Sequence, residues 1–182
     1  MFKYLILFFL LFFLTNSNAN NKENIIKNLI NTNNINFEFE QNINKKIEKG
    51  NCILQYPRKI FCTYVGSNNK ILVSNGKSLV IQTKVSYYRY ALEKTPLNYI
   101  LDKNFLINKI YNLEESSVNE SFINYLITEN NNEFNIFFDR KTFNLIGWQI
   151  KDIYQNLNVT YLSSIRKNET IDENLFKIPL QN

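Results

Sequence analysis

The sequence predicts an α+β protein built on one large, curved antiparallel sheet with short helices packed against one face. Three observations lead there. Segments of strand length, rich in Ile, Phe and Tyr, recur from residue 35 onward and are separated by polar breaks such as NNN, DRKT and QNL. One of them, INFEFEQNI, alternates strictly, with Ile35, Phe37 and Phe39 opposite Asn36, Glu38 and Glu40, the pattern of a half-buried strand. The stretch ILVSNGKSLVI sets two apolar runs either side of Asn75-Gly76, both able to take positive φ, which predicts a type I′ hairpin.

The first 19 residues, MFKYLILFFLLFFLTNSNA, stand apart from this body. Lys3 precedes an apolar block from Leu5 to Leu14, and small residues follow at Ser17 and Ala19. A block of about ten apolar residues is too short for a ~30 Å bilayer core. Residues 1–19 therefore have the layout of a secretory signal peptide cleaved after Ala19; an uncleaved amphiphilic anchor is the alternative. No cysteine follows the cleavage point, so the mature chain is not expected to be lipidated itself. Residues 20–182 then make one domain of ordinary size. Removing Lys3 lowers the net charge from +5 to +4, an excess spread thinly, with no basic block of the kind that tracks nucleic acid.

Within that domain NKENIIKNLINT opens with a short amphipathic helix whose stripe is Ile25, Ile26, Leu29 and Ile30. After the alternating strand, Gly50 to Gln55 and Ile60 to Val65 pair around Tyr56-Pro57-Arg58. In the Asn-Gly hairpin Leu72 faces Leu79, and Ile81 shares their side. VSYYRYAL, INYLITE, EFNIFFDR, NLIGWQIKDIY and NVTYLSSI continue the series, about nine or ten strands in all. Thr95 as N-cap and Pro96 at the first helical position start a short helix presenting Leu97, Ile100 and Leu101 and ending near Asp102. IDENLF reads as one helical turn before a last short strand at residues 177–179.

The chain has no histidine, which excludes a Ser-His-Asp triad, a Cys-His dyad and histidine metal sites. Four glycines build no phosphate loop. Acidic pairs such as Glu114-Glu115 and Asp172-Glu173 sit in polar stretches and read as solvated surface. No enzyme, no cofactor and no metal site is expected. Cys52 and Cys62 fall opposite each other across the turn at Pro57, which favours a structural disulfide in an oxidising compartment; two buried thiols are the alternative. Phe and Tyr together number 26. Their surplus fits a filled core, or a concave face left partly open for an acyl chain, whose burial is worth ~0.8 kcal/mol per CH₂.

Several stretches, in order, resemble the LolA family of periplasmic carriers of outer-membrane lipoproteins: FEFEQ; Gly50 with Pro57 seven residues on, then Tyr64; ILVSNGKSLVI; TPLNYIL; and LIGWQIKD followed by ENLFKIP. The resemblance covers essentially the whole mature chain. It implies an unclosed, half-barrel antiparallel sheet whose concave apolar face is covered by a lid of short helices, with acyl chains held between the two. It also implies a monomer in the periplasm that accepts acylated lipoproteins from an inner-membrane LolCDE-type ABC transporter and passes them to a LolB-type receptor. LolB is itself lipidated, and the missing cysteine after Ala19 points away from it. With this fold in mind, cross-strand parity makes Phe37, Phe39, Leu54, Tyr56, Ile60, Tyr64, Leu72, Leu79, Ile81, Trp148 and Ile150 the expected lipid-binding wall. Leu97, Ile100 and Leu101 form the lid's underside, and Ile26, Leu29 and Ile30 its first helix.

Two departures from the family pattern stand out. The family usually has Arg immediately before the proline, where it hydrogen-bonds the lid closed; this chain has Tyr56, with Arg58 nearby, so a weaker or differently built latch is expected. The chain also stops soon after Pro179. LolA-like folds serve too as protein-interaction or envelope-sensing modules, normally with an additional domain for which this chain has no room. A structural β-domain with a filled core is the third reading.

Overall fold

The computed structural model describes residues 17–181 apart from 67, 115, 116, 119, 131 and 153. The leader expected over 1–19 lies outside the described residues except for its last three, which begin helix α1 (Ser17–Ile30). Among the described residues eleven strands follow: β1 (Asn34–Ile43), β2 (Lys46–Gln55), β3 (Lys59–Tyr64), β4 (Ile71–Asn75), β5 (Ser78–Gln82), β6 (Tyr87–Ala91), β7 (Ser117–Val118), β8 (Phe122–Glu129), β9 (Asn132–Asp139), β10 (Leu145–Lys151) and β11 (Leu157–Lys167). All pair antiparallel in one sheet of order β6-β5-β4-β3-β2-β1-β11-β10-β9-β8-β7. The order is linear, so the sheet is not closed, as the family resemblance implied. Between its two edge strands the chain crosses through helices α2 (Leu97–Ile100) and α3 (Lys103–Asn112).

Turn chemistry sets the registers. β1 and β2 join through Asn44 and Lys45, both with positive φ, the type I′ arrangement. The Asn-Gly hairpin differs from expectation. Only Gly76 of that pair has positive φ, at 92°, and the two-residue loop is Gly76-Lys77, with Gly first as in a type II′ turn. The Asn75 side chain is occupied in accepting from the Lys77 and Ser78 amides. Moving the loop by one residue moves the register by two, so Leu72 pairs with Ile81 and Ser74 with Leu79. A shift of two preserves parity, and Leu72, Leu79 and Ile81 still share one face.

The concave face carries one apolar core. Ile25 and Leu29 of α1, Ile100 of α2, Leu101, and Leu106 and Ile110 of α3 are buried with Ile123, Tyr125, Phe134, Ile136 and Phe138 of β8 and β9. Tyr99 stacks on Phe134 at 5.4 Å. Ile30 is a correction: it is 56% exposed. At 100° per residue it sits about 120° round α1 from the Ile25–Leu29 line, off the packed stripe. Helix α3 goes beyond the sequence expectation, which ended the helical segment near Asp102. Asp102 instead caps a second helix, its side chain accepting from the Phe105 amide at 3.1 Å.

The C-terminal segment covers part of the opposite face. Glu173 accepts from Gln55 and Lys59, whose parity is outward, and its 3-10 turn (Glu173–Phe176) contacts β3 and β4. Val73, Val80 and Phe176 are buried. Residues 177–179 form no strand, contrary to expectation; the Pro179 carbonyl accepts from the Tyr87 hydroxyl.

Candidate functional site

Inward-facing side chains of β1–β6, β10 and β11 line a partly open cavity of about 180 Å³ beside the helices. Phe37, Phe39, Ile60, Tyr64, Leu72, Leu79, Ile81, Leu97, Trp148 and Ile150 line it, with Cys52 and Cys62 in its wall. The two cysteines oppose each other in register and are joined by a disulfide. Phe37 meets Trp148 edge-on at 6.4 Å, and Phe39 meets Tyr64 at 5.0 Å. Gly50 makes the second contact possible: a Cβ there would lie 2.8 Å from the Phe39 ring and 2.0 Å from the Thr63 carbonyl. Leu54, Tyr56, Ile100 and Leu101 are buried in the core and are not among the lining residues; Ile26 packs against that core at half-burial and Leu29 within it.

Parity also places residues that the sequence reading left out. Gln41 continues the Phe37–Phe39 alternation, Tyr90 pairs with Leu79, and Asn158 and Thr160 alternate along β11; all four line the cavity, as do Asp152, Tyr154, Thr95 and Pro96. Composition hid them, because polar residues in strands read as solvent-facing. Gln41 Nε2 donates to Thr160 Oγ1, which donates to Asn158 Oδ1, each at 3.2 Å. A hydrogen bond to Tyr154, reinforced by burial, raises Tyr90 to about 12. Burial and then the Glu48 charge push Tyr64 upward too.

Behind Tyr64 lies a strongly buried carboxylate. Glu48 is 4% exposed and accepts from Lys46 at 2.8 Å and Lys70 at 2.5 Å, with Lys70 over the Tyr64 ring at 4.0 Å. Burial works to raise its carboxyl, but the two lysines outweigh that and hold it below the usual range.

The β2–β3 turn meets the helices at one ion pair. Arg58 Nε and Nη2 donate to Asp102 Oδ2 at 3.0 and 2.5 Å, and the Arg58 amide donates to the Leu101 carbonyl at 2.8 Å. Asp102 thus caps α3 with one oxygen and holds the guanidinium with the other. Tyr56, in the position before the proline, contributes no such bond: its hydroxyl is buried without a partner among the described residues, and its pKa is raised by burial and the Asp102 charge. Lys103 adds a second tie, donating to the Thr32 carbonyl at 2.9 Å. The expected N-cap at Thr95 is absent, since its hydroxyl donates to the Leu92 carbonyl and Pro96 caps α2.

No helix of the described residues is long and apolar enough to cross a membrane, and none of their acidic or cysteine side chains cluster to hold a metal ion. The family model described as outer membrane lipoprotein carrier protein LolA matches residues 30–179. Among solved structures, an uncharacterized conserved protein from Thermus thermophilus is similar at 7% identity and TM-score 0.52, over 88% of this chain and 94% of that one. The Pseudomonas aeruginosa MucA/MucB complex matches at 10% identity and TM-score 0.50, over 90% of this chain and 62% of that one. A LolA superfamily protein, NE2245 from Nitrosomonas europaea, matches at 7% identity and TM-score 0.46, over 88% and 97%. At such identities the likeness to the first two is one of fold. No curated protein matches the sequence.

Proposed function

The chain belongs to the LolA family, and on that premise we propose that it is a periplasmic carrier of acylated lipoproteins. Its cavity takes up the cargo's acyl chains and shields them from water between an inner-membrane LolCDE-type donor and a LolB-type acceptor. The observation that carries this reading is the cavity itself, walled by aromatic and aliphatic side chains on a sheet that stays open. Its 180 Å³ falls below the ~300–1,000 Å³ of ordinary ligand pockets. The helices α2 and α3 therefore act as a lid that lifts to admit chains, with Arg58–Asp102 as the latch. Burial at ~0.8 kcal/mol per CH₂ supplies ample affinity. A loose fit permits release.

The test is uptake of the apolar-site dye bis-ANS by the folded protein, with and without competitor. Displacement by a triacylated lipoprotein, and none by its delipidated form, is the expected result. A monodisperse protein that takes up neither dye nor lipoprotein would overturn the carrier reading. The second reading, a protein-interaction module, draws on the fold shared with MucB, solved in complex with MucA. It predicts binding of a delipidated protein partner as tight as that of its acylated form.

A further inference from the structure

We infer that the cavity selects uncharged acyl derivatives, chains attached through an ester or amide carbonyl, over free fatty-acid anions. The inference rests on the acyl-binding reading of the same cavity and adds a rule for what it accepts. Among the described residues no Lys or Arg lines the cavity, and its one charged lining residue is acidic, Asp152. Behind the wall, Lys70 lies against Tyr64 and is paired with Glu48, while Lys46, the second lysine on that carboxylate, is largely exposed to solvent. A carboxylate brought inside would shed its hydration, find no cation, and share the space with a like charge. That strongly disfavours the anion in an apolar site.

A carbonyl meets the opposite situation. Thr160 occupies the Asn158 side-chain oxygen, and Gln41 in turn donates to the Thr160 hydroxyl. The chain of bonds leaves the Asn158 amide hydrogens as the donor end of the network, in the wall of an otherwise greasy cavity. Asn158 and Thr160 are both buried, so the donor is held in place by the strand and by its neighbours. Neutral groups are the polar part of this wall, Gln41, Tyr64, Tyr90 and Tyr154 beside Asn158, and the Asn158 amide is the buried one that fits a carbonyl oxygen.

Trp148 is the chain's only tryptophan and lines the cavity, so its emission reports occupancy. The experiment titrates the protein at neutral pH with 1-monolaurin, laurate and dodecane, each below its aggregation concentration. The expected result is that monolaurin binds at least ~tenfold more tightly than laurate. Asn158→Leu should weaken monolaurin about fivefold while leaving dodecane unchanged. Laurate binding within about threefold of monolaurin, or Asn158→Leu weakening monolaurin and dodecane alike, would overturn the selection rule while leaving the carrier reading in place. If none of the three ligands binds, the carrier reading falls and the rule with it.

Discussion

Substituting Arg58 by Ala removes two guanidinium bonds to Asp102 and leaves the helix cap on Phe105 intact. The pair is unevenly buried, Arg58 being 43% and Asp102 16% exposed. A hydrogen bond to a charged group is worth ~1.5–3 kcal/mol when shielded, and an exposed ion pair ~0–1. Screening on the arginine side places this latch at about 1–1.5 kcal/mol. At ~1.4 kcal/mol per factor of ten, lid opening in Arg58→Ala rises about 5- to 12-fold. Because the Arg58 amide and Lys103 still tie the helices down, the protein stays folded. Hydrogen exchange read separately for α3 and for the sheet measures this directly: α3 amides should exchange faster by that factor while strand amides of β1 and β11 hold their rates. A double-mutant cycle with Asp102→Asn should return a coupling of about 1 kcal/mol. Coupling under about 0.3 kcal/mol, or equal acceleration of helix and sheet, would refute the latch.

Four further outcomes follow from the geometry. Removing both sulfurs with Cys52→Ala and Cys62→Ala opens a cross-link spanning ten residues, and the denaturant midpoint should fall by the equivalent of about 2–3 kcal/mol; a loss under about 1 would mean that the bridge does not constrain the unfolded chain. Glu48 has a lower pKa folded than unfolded, so its contribution is present above its ordinary value of 4.5 and lost as acid protonates the folded form. Thermal melts should therefore show Glu48→Gln less stable than the parent at about pH 7, with the gap narrowing as the pH falls below 4.5; a constant gap would contradict the pairing. Gly50→Ala drives a methyl into the Thr63 carbonyl and the Phe39 ring and should cost about 3 kcal/mol or more by chemical denaturation, with normal stability arguing against the close approach. Tyr56→Phe deletes a buried hydroxyl that has no partner among the described residues, so its melting temperature should match or exceed the parent's; a clear loss would reveal a bond made by that hydroxyl.

Much of the fold was legible in the sequence, for physical reasons that particular residues make plain. Strand periodicity of two is a local property, so once the short turns had paired neighbouring strands, the shared face of Phe37, Phe39, Ile60, Tyr64, Leu72, Leu79 and Ile81 could be read from the sequence. It survived even the misplaced hairpin loop, because the register error was an even number of residues. The opposition of Cys52 and Cys62 followed in the same way from a three-residue turn. The family assignment rested on motifs whose order a linear chain displays directly.

What the tertiary structure decided is where long-range neighbours meet. Whether an inward residue lines the cavity or the core beneath the helices depends on which part of the sheet the helices cover. That divides Ile60 and Trp148 from Leu54. Asp102 looked like the end of one helix because its roles as cap for the next and as partner of Arg58, 44 residues earlier, lie outside any local window. Asn158 and Thr160 read as ordinary strand polars until β11 was laid beside β1, where Gln41 gives them a hydrogen-bonded chain inside an apolar wall. Alternation determines the side of the sheet from sequence alone; the partner across the sheet is chosen only when strands distant in sequence come together, and that choice sets the latch and the polar end of the cavity.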